Sequence, residues 1–309
     1  MNVLVTGGNG FLGEKVVKEL KRRRQKITVF DKNKGKDEKV KYVRGDVTSI
    51  RSLARAFKDI DIVYHLAAVL DEHDPNLWDV NVEGTKTVVK LCENNDVSQL
   101  VFTSSSGVLG ESIIPAKEPF PYNPKTKYEK SKAQAERVIR ASDVPYTIVR
   151  GSILVGPNQI WKTLFEKAKD GFPIIGNGKN HMHLTSFYDF VDVLMEVRDN
   201  DDAKNEVFNV ATSDLPKYRD VFEFINLLVN KNKSSRRIPA FLAYIYSYLN
   251  LAMSKIKGEE QKLLYRKETL DRLLRDRKLN TEKVEKILDV NLESTWESLE
   301  KTYEKIKEG

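Results

Sequence analysis

Short apolar runs rich in Val, Ile and Phe alternate along the first half of the chain with longer segments whose apolar residues recur at helical spacing. The runs predict strands at Asn2–Thr6, Lys26–Asp31, Lys41–Arg44, Ile62–Leu66, Gln99–Ser104 and Tyr146–Arg150. The periodic segments predict helices at Gly13–Arg24, Ile50–Phe57, Val82–Asn94 and Pro124–Ala141. Ahead of the first helix, Phe11 and Leu12 join Val16, Val17 and Leu20 in one apolar pattern, so helical spacing begins at about Phe11. Alternation of this kind builds a parallel sheet covered on both faces. With right-handed crossovers it becomes a doubly wound, Rossmann-type α/β fold whose ligands sit at the carboxyl ends of the strands.

The alternation stops after Gly156-Pro157. A helix at Gln159–Lys169, a turn-rich loop at Gly171–Gly178, a strand at His183–Phe187, a helix at Asp189–Arg198 and a strand at Val207–Ala211 are expected next. From Leu215 the pattern is almost wholly helical, ending in Leu292–Lys307. The expected organisation is a dinucleotide-binding domain over 1–157, with segments near 183–212 returning to it. Residues 158–182 and 213–309 are expected to form a smaller, mainly helical substrate domain. The stretch Pro239–Met253 is apolar on most faces of a helix and then meets Lys255-Ile256-Lys257. We read it as a helix buried in the substrate domain; a wall for an apolar substrate and an interfacial helix on a membrane surface are the lesser readings.

Composition narrows the class. Hydrophobic residues at 40% and charged residues at 31% describe a soluble globular protein rather than a disordered chain. The single cysteine, Cys92, excludes an internal disulfide, fits a reducing cytoplasm, and is expected to be a buried thiol on a helix. No basic leader precedes the first strand and no apolar stretch reaches bilayer length, so a cytoplasmic protein is expected. The net charge of +7 comes from a lysine-rich surface mixed with many acids, and no nucleic-acid-binding motif accompanies it.

The chemistry begins at Thr6-Gly7-Gly8-Asn9-Gly10-Phe11-Leu12-Gly13, a glycine-rich turn between a strand and a helix. Gly7 and Gly10 let a pyrophosphate approach the main chain, and the helix N-terminus offers it unpaired N–H groups. Gly13 lets helix and strand pack closely. Asp31 ends the second strand, placed to accept hydrogen bonds from the adenosine ribose and to repel a 2′-phosphate, which favours NAD. Lys32 and Lys34 nearby keep NADP open. Tyr128 and Lys132 stand four apart on a helix and share a face. A free phenol titrates near pH ~10; a fixed ammonium and an oxidised nicotinamide stabilise phenolate, a shift of three units representing about 4 kcal/mol. Among the hydroxyls of Thr103-Ser104-Ser105-Ser106, one is expected to bind a substrate oxygen beside Tyr128 while the rest satisfy loop backbone.

Together these stretches resemble the extended short-chain dehydrogenase/reductase family, which holds NAD-dependent sugar epimerases and dehydratases, dihydroflavonol reductases and 3β-hydroxysteroid dehydrogenases. The resemblance rests also on Gly45-Asp46-Val47, Tyr64-His65-Leu66-Ala67-Ala68, Asn81-Val82-Glu83-Gly84-Thr85 and Arg150 to Gly156-Pro157, and covers nearly the whole chain. It implies that Asp46 and Val47 contact the adenine and that Leu66, Ala67 and Ala68 line the cofactor cleft. It makes Tyr128 the acid/base, with Lys132 tuning it and holding the nicotinamide ribose, and it places the catalytic hydroxyl on Ser105. It also implies a homodimer built through the helices after Asn81 and around Tyr128.

Two positions depart from the nucleotide-sugar pattern. The Asn usually found three residues before Gly156-Pro157 is Ile153, and the Arg usually found seven residues before Asp189 is Met182. Without that amide and guanidinium a buried diphosphate lacks donors, unless Lys179 or His181 replaces them. The expected activity is therefore hydride transfer between NAD and a secondary alcohol or ketone. The same chemistry used transiently by a 4-epimerase or dehydratase is the alternative, and a catalytically silent NAD-binding protein the alternative from another class. His181 and His183 have no third ligand nearby, so no metal site is expected. Asp71, His73 and Asp74 fall in a loop that borders the substrate in this fold.

Overall fold

Strand β1 (Asn2–Thr6) lies inside the sheet, and its period-2 alternation sends side chains to two separate cores: Val3 and Val5 to one, Leu4 to the other. The computed structural model describes all residues except 36, 172, 230–235, 259–260, 262–265 and 309. Helix α1 (Phe11–Arg22), strands β2 (Lys26–Asp31) and β3 (Lys41–Arg44), and helix α2 (Ile50–Ala54) follow β1. Next come β4 (Ile62–His65), α3 (Gly84–Asn94), β5 (Gln99–Ser105), α4 (Lys127–Arg140) and β6 (Tyr146–Gly151). The chain continues through β7 (Ile153–Val155), α5 (Gln159–Ala168), β8 (Ile174–Ile175), β9 (Leu184–Ser186), α6 (Phe187–Glu196) and β10 (Glu206–Val210). The remainder holds α7 (Tyr218–Val229), β11 (Arg237–Ile238), α8 (Ala240–Lys257), α9 (Lys267–Leu274), α10 (Glu282–Leu288) and α11 (Thr295–Glu308).

Seven parallel strands form one sheet in the order β10-β6-β5-β4-β1-β2-β3. The chain runs outward from β1 through β2 and β3, then returns to the other side of β1 with β4. The direction reverses between β1 and β4, and a doubly wound sheet opens its ligand crevice at that switch point. Thr6 pairs with His65 there, so the glycine turn and Leu66-Ala67-Ala68 leave the sheet side by side. One face is covered by α1, α6 and α10 through Val16, Leu20, Phe190, Leu194, Val284 and Leu288. The other is covered by α2, α3 and α4 through Leu53, Val88 and Ile139. Cys92 is buried in that second core, and burial pushes its thiol up. A third cluster joins α5, α7 and α11 around Trp161, Phe165, Tyr218 and Phe222. The doubly wound parallel sheet and the helical C-terminal part are thus as expected.

Three expectations are corrected. The segment Gly171–Gly178 holds β8, which pairs with β11; within it Phe172 lies outside the described residues. The expected run of helix from Leu215, which also spans the undescribed 230–235, 259–260 and 262–265, is broken at 275–281 by extended chain. Its backbone bridges Met182 and Ala116 because a helix there would leave no donors for those two edges. The apolar segment 239–253 lies in α8, which is not buried: Ser247 alone among its residues is.

At the start of α6, Asp189 accepts a hydrogen bond from the Glu293 N–H at 2.7 Å and is buried beside the Glu293 carboxylate. Burial pushes its carboxyl up to about 6; the Glu293 N–H draws it down, and the Glu293 carboxylate opposes that with a smaller rise. A carboxyl raised in the folded state contributes stability at low pH that is lost as pH rises from ~4 through about 6. Asp189→Asn keeps the acceptor and removes the charge. It is expected to stabilise the fold by about 1–3 kcal/mol at pH 7.5 and by nothing below pH ~4, read from urea midpoints across that range. An equal gain at both ends of the range would show that the charge is not the cause.

Candidate active site

The glycine turn takes its shape from three close approaches. Gly7 has φ +72°, and a Cβ there would meet the Ala67 nitrogen at 2.7 Å. A Cβ on Gly13 would stand 2.1 Å from the Gly7 carbonyl oxygen, so only glycine admits α1 this near to the turn. A Cβ on Gly10 would meet nothing but that same oxygen at 3.3 Å, which leaves the outer side of the turn open. Gly10 caps α1 with no side-chain hydrogen bond, and the first bond into the helix comes from Glu14 N–H. The N–H groups of Phe11, Leu12 and Gly13 therefore face the crevice at the positive end of the helix dipole. A cradle of open space and free N–H donors fits a pyrophosphate. The ring of Phe11 stacks on Phe187 at 4.3 Å, tying the turn to α6.

Asp31 stands beside this cradle, accepting from the backbone N–H of Asn9 at 3.1 Å and of Asn33 at 3.0 Å. Its oxygens keep lone pairs for a ribose diol. Lys32 is turned away, 3.1 Å from an Asp46 oxygen. Asp46 also accepts from Thr48, while Val47 is buried under Gly84. Leu66, Ala67 and Ala68 are half-buried along the crevice. His65 is fixed between Thr6 Oγ1 (2.7 Å) and Thr85 Oγ1 (3.0 Å), and burial holds its ring neutral, with a pKa down at about 3. Asn81 clamps the adjoining loop: its side chain exchanges two hydrogen bonds with the Val69 backbone and donates to Ser131 on α4.

Helix α4 brings in the second half of the site. Thr126 and Glu129 form a capping box at its start, which fixes where the helix begins and so where Tyr128 points. Tyr128 is half-buried, and its hydroxyl has no hydrogen-bond partner among the described residues. Burial pushes the phenol up to about 12, Arg272 drawing it down and Glu129 adding to the rise. One turn on, Lys132 is only 3% exposed, its ammonium 4.0 Å above the Phe102 ring. Burial brings it down to about 7, and Glu136 opposes that. In the protein chain alone Tyr128 thus holds its proton; a shift toward neutrality needs a further positive charge.

The hydroxyl cluster at the end of β5 divides into spent and free groups, and not as expected: Ser105 itself meets loop backbone, while among the described residues Ser104 and Ser106 do not. Thr103 donates to the His65 carbonyl, and Ser104 donates to Glu136 at 2.5 Å. Ser105 accepts from the Gly107 N–H at 3.1 Å, which leaves its own proton free to donate. Ser106 Oγ is buried without a partner among the described residues. The turn after Ser105 packs on α4 so tightly that a Cβ on Gly107 would meet Glu129 Cγ at 2.6 Å.

Several residues that shape this site carry no motif of their own. Glu136, two turns beyond Tyr128 on the same helix face, is fully buried and holds Arg150 through Nε (2.9 Å) and Nη2 (2.6 Å). Tyr122 donates to it at 2.9 Å. Glu129 receives Arg277 at 2.8 Å and Arg275 at 3.1 Å from the extended segment. Burial pushes the Glu129 carboxyl up, but Arg277 and the N–H groups of Thr126 and Lys125 outweigh it and leave it below its usual range. The i, i+4 spacing of Tyr128, Lys132 and Glu136 was a signal for the first of these; nothing local marks the arginines. Met182 is buried in the third cluster and Ile153 lines it, so the two departures from the nucleotide-sugar pattern are packing positions. His183 is held by the Thr212 carbonyl and the Leu279 N–H, and His181 by Asp276. Asp71 takes Arg266 at 2.7 Å.

The model of the NAD dependent epimerase/dehydratase family matches residues 3–211. The chain is 30% identical over 277 residues to N-acetyl-alpha-D-glucosaminyl-diphospho-ditrans,octacis-undecaprenol 4-epimerase of Escherichia coli O157:H7, covering 84% of this chain and 82% of that one. It is 33% identical over 197 residues to the decarboxylating sterol-4-alpha-carboxylate 3-dehydrogenase of Homo sapiens, covering 59% of this chain and 53% of that enzyme. In fold it is similar to dTDP-glucose 4,6-dehydratase of Bacillus anthracis, solved with NAD (TM-score 0.78, 23% identity, 100% and 98% of the two chains). The family match spans the glycine turn, Asp31, the Ser105 strand end and the Tyr128 helix together. On that ground the chain belongs to the NAD dependent epimerase/dehydratase family.

Proposed function

We propose that this chain transfers a hydride between NAD and the carbinol carbon of a secondary alcohol or its ketone. Bound in the crevice between the glycine turn and Asp31, NAD supplies the hydride acceptor and NADH the donor. Ser105 donates its free proton to the substrate oxygen and holds it facing Tyr128. Tyr128 gives its phenolic proton to that oxygen on reduction and takes it back on oxidation. Lys132 binds the nicotinamide ribose and adds positive charge beside the phenol. The reading is carried by a Ser105 hydroxyl with its proton free at the end of β5, and by a Tyr128 hydroxyl without a hydrogen-bond partner among the described residues on α4, the helix that packs against that strand end. A homodimer through α3 and α4, and a cytoplasmic location, complete this reading; among the described residues no helix is long and apolar enough to cross a membrane.

The test is a panel of secondary alcohols and ketones assayed for stoichiometric NADH formation or consumption. A 4-epimerase reading is favoured by the similarity to N-acetyl-alpha-D-glucosaminyl-diphospho-ditrans,octacis-undecaprenol 4-epimerase and by Arg275 and Arg277, which pair with Glu129, the residue after Tyr128. It is distinguished by turnover with retained cofactor and no net NADH. The Asp31 assignment has its own test. With Lys32 engaged by Asp46, Asp31→Asn is expected to lower the preference for NADH over NADPH at least ~10-fold in fluorescence titrations. An unchanged ratio would remove Asp31 from the ribose site.

A further inference from the structure

Helix α8 is amphipathic the wrong way round for a globular protein. Its outward arc, spaced at i, i+3, i+4 and i+7, carries Phe241, Leu242, Ile245, Leu249, Met253 and Ile256, all exposed; Phe241 is 62%, Leu249 59% and Ile256 86% exposed. The inward arc is the more polar one. Tyr244 donates to Asp271 at 2.7 Å, and the Ser247 carbonyl receives Gln261 at 2.9 Å. No acid occurs on the helix. Exposed Lys255 and Lys257 close it and exposed Arg236 and Arg237 precede it.

We propose that α8 is an interfacial anchor that lies in the surface of an anionic lipid bilayer, its apolar arc among the acyl chains and its terminal cations on the headgroups. An apolar arc this continuous marks an interaction surface, and the exposed cations Arg236, Arg237, Lys255 and Lys257 at its two ends, on a helix that carries no acid of its own, select the partner. A second copy of the chain is disfavoured, because pairing α8 with α8 about a two-fold axis sets Arg236 and Arg237 against Lys255 and Lys257, with no acid within the helix between them. Spanning is excluded, since no described helix is long and apolar enough. The anchor also borders the cleft. Leu251, Ser254 and Lys255 share a cavity of about 480 Å³ with Asp71, His73 and Asp74. The same loop reaches the start of α4, where Glu72 accepts from the Lys127 N–H at 3.3 Å, next to Tyr128. Seating α8 on lipid therefore brings the Tyr128 cleft to the membrane surface. This does not depend on which alcohol is turned over.

The full chain is sedimented with vesicles of phosphatidylcholine alone and of phosphatidylcholine mixed equally with phosphatidylglycerol. Partition into the mixed vesicles is expected to exceed that into the neutral ones by at least ~10-fold and to fall with salt. Leu249→Glu/Ile256→Glu is expected to lower it at least ~10-fold with circular dichroism and NADH binding unchanged. Lys255→Glu/Lys257→Glu is expected to abolish the preference for anionic lipid while leaving the fold intact. The proposal is overturned by wild-type protein that stays in the supernatant, or by a Leu249→Glu/Ile256→Glu variant that binds like wild type. It is equally overturned by a wild-type oligomer that this variant dissociates, which would assign the face to a second copy. Vesicle binding needs no turnover, so its failure is separate from any failure of the hydride-transfer reading.

Discussion

Tyr128→Phe is expected to lower kcat by about 10³-fold, within the 10²–10⁴ range of a lost general acid–base, while NADH binds within about threefold of wild type. The ring volume and the α4 capping box are kept, so the loss isolates one proton. A thousandfold corresponds to about 4 kcal/mol of transition-state stabilisation. The phenol is pushed up to about 12 by burial, so near neutral pH it is a proton donor and an unassisted base of little use. The half-buried ring tempers that rise but does not reverse it. Oxidation therefore depends on added positive charge, and Lys132, itself down at about 7, supplies it only where protonated. The ratio of oxidation to reduction rates in the wild type and in Lys132→Met would expose this. A Tyr128→Phe enzyme with full turnover on a substrate the wild type uses would sink the proposed mechanism.

The sheet and the cofactor crevice were legible because local signals and global topology agree there. Val3-Leu4-Val5 alternates between two cores, Gly7 and Gly13 occupy positions that no side chain fits, and Asp31 ends a strand that pairs beside them. The Tyr128–Lys132 spacing was legible for the same reason, since one helix face carries both. After Gly156-Pro157 the helices and strands expected between Gln159 and Ala211 are present as α5, β9, α6 and β10, and what was not legible is the course of the chain beyond Leu215. Segment 275–281 is extended because distant edges at Ala116 and Met182 need donors, and no pattern within the segment announces that. Its arginines reach Glu129 across 146 and 148 residues of sequence. Helix α8 was misjudged for a plainer reason: apolar residues on most faces normally mean burial, and only the structure shows that its polar side faces inward.

Glu136→Ala is expected to destabilise the fold by about 3–5 kcal/mol, because it strands a buried guanidinium rather than because the ion pair is worth that much. Arg150 is 1% exposed and Glu136 fully buried, so water cannot replace the lost partner. The Ser104 and Tyr122 hydroxyls lose the same acceptor, while the Glu118 carbonyl still accepts from Arg150 at 3.0 Å. Removing both charges is a different experiment. Glu136→Leu/Arg150→Met fills the same space with apolar atoms and is expected to recover most of the loss, as buried ion pairs replaced by hydrophobic groups commonly do. Urea midpoints for wild type, Glu136→Ala and the double variant measure the three states, and a cost under about 1 kcal/mol for Glu136→Ala would mean that Arg150 is solvated after all. The double variant also separates stability from chemistry. Glu136 sustains the charge on Lys132, so its loss pushes that ammonium further down. A well-folded Glu136→Leu/Arg150→Met enzyme is then expected to show its oxidation rate failing at lower pH than wild type, since Lys132 sheds its proton earlier as pH rises.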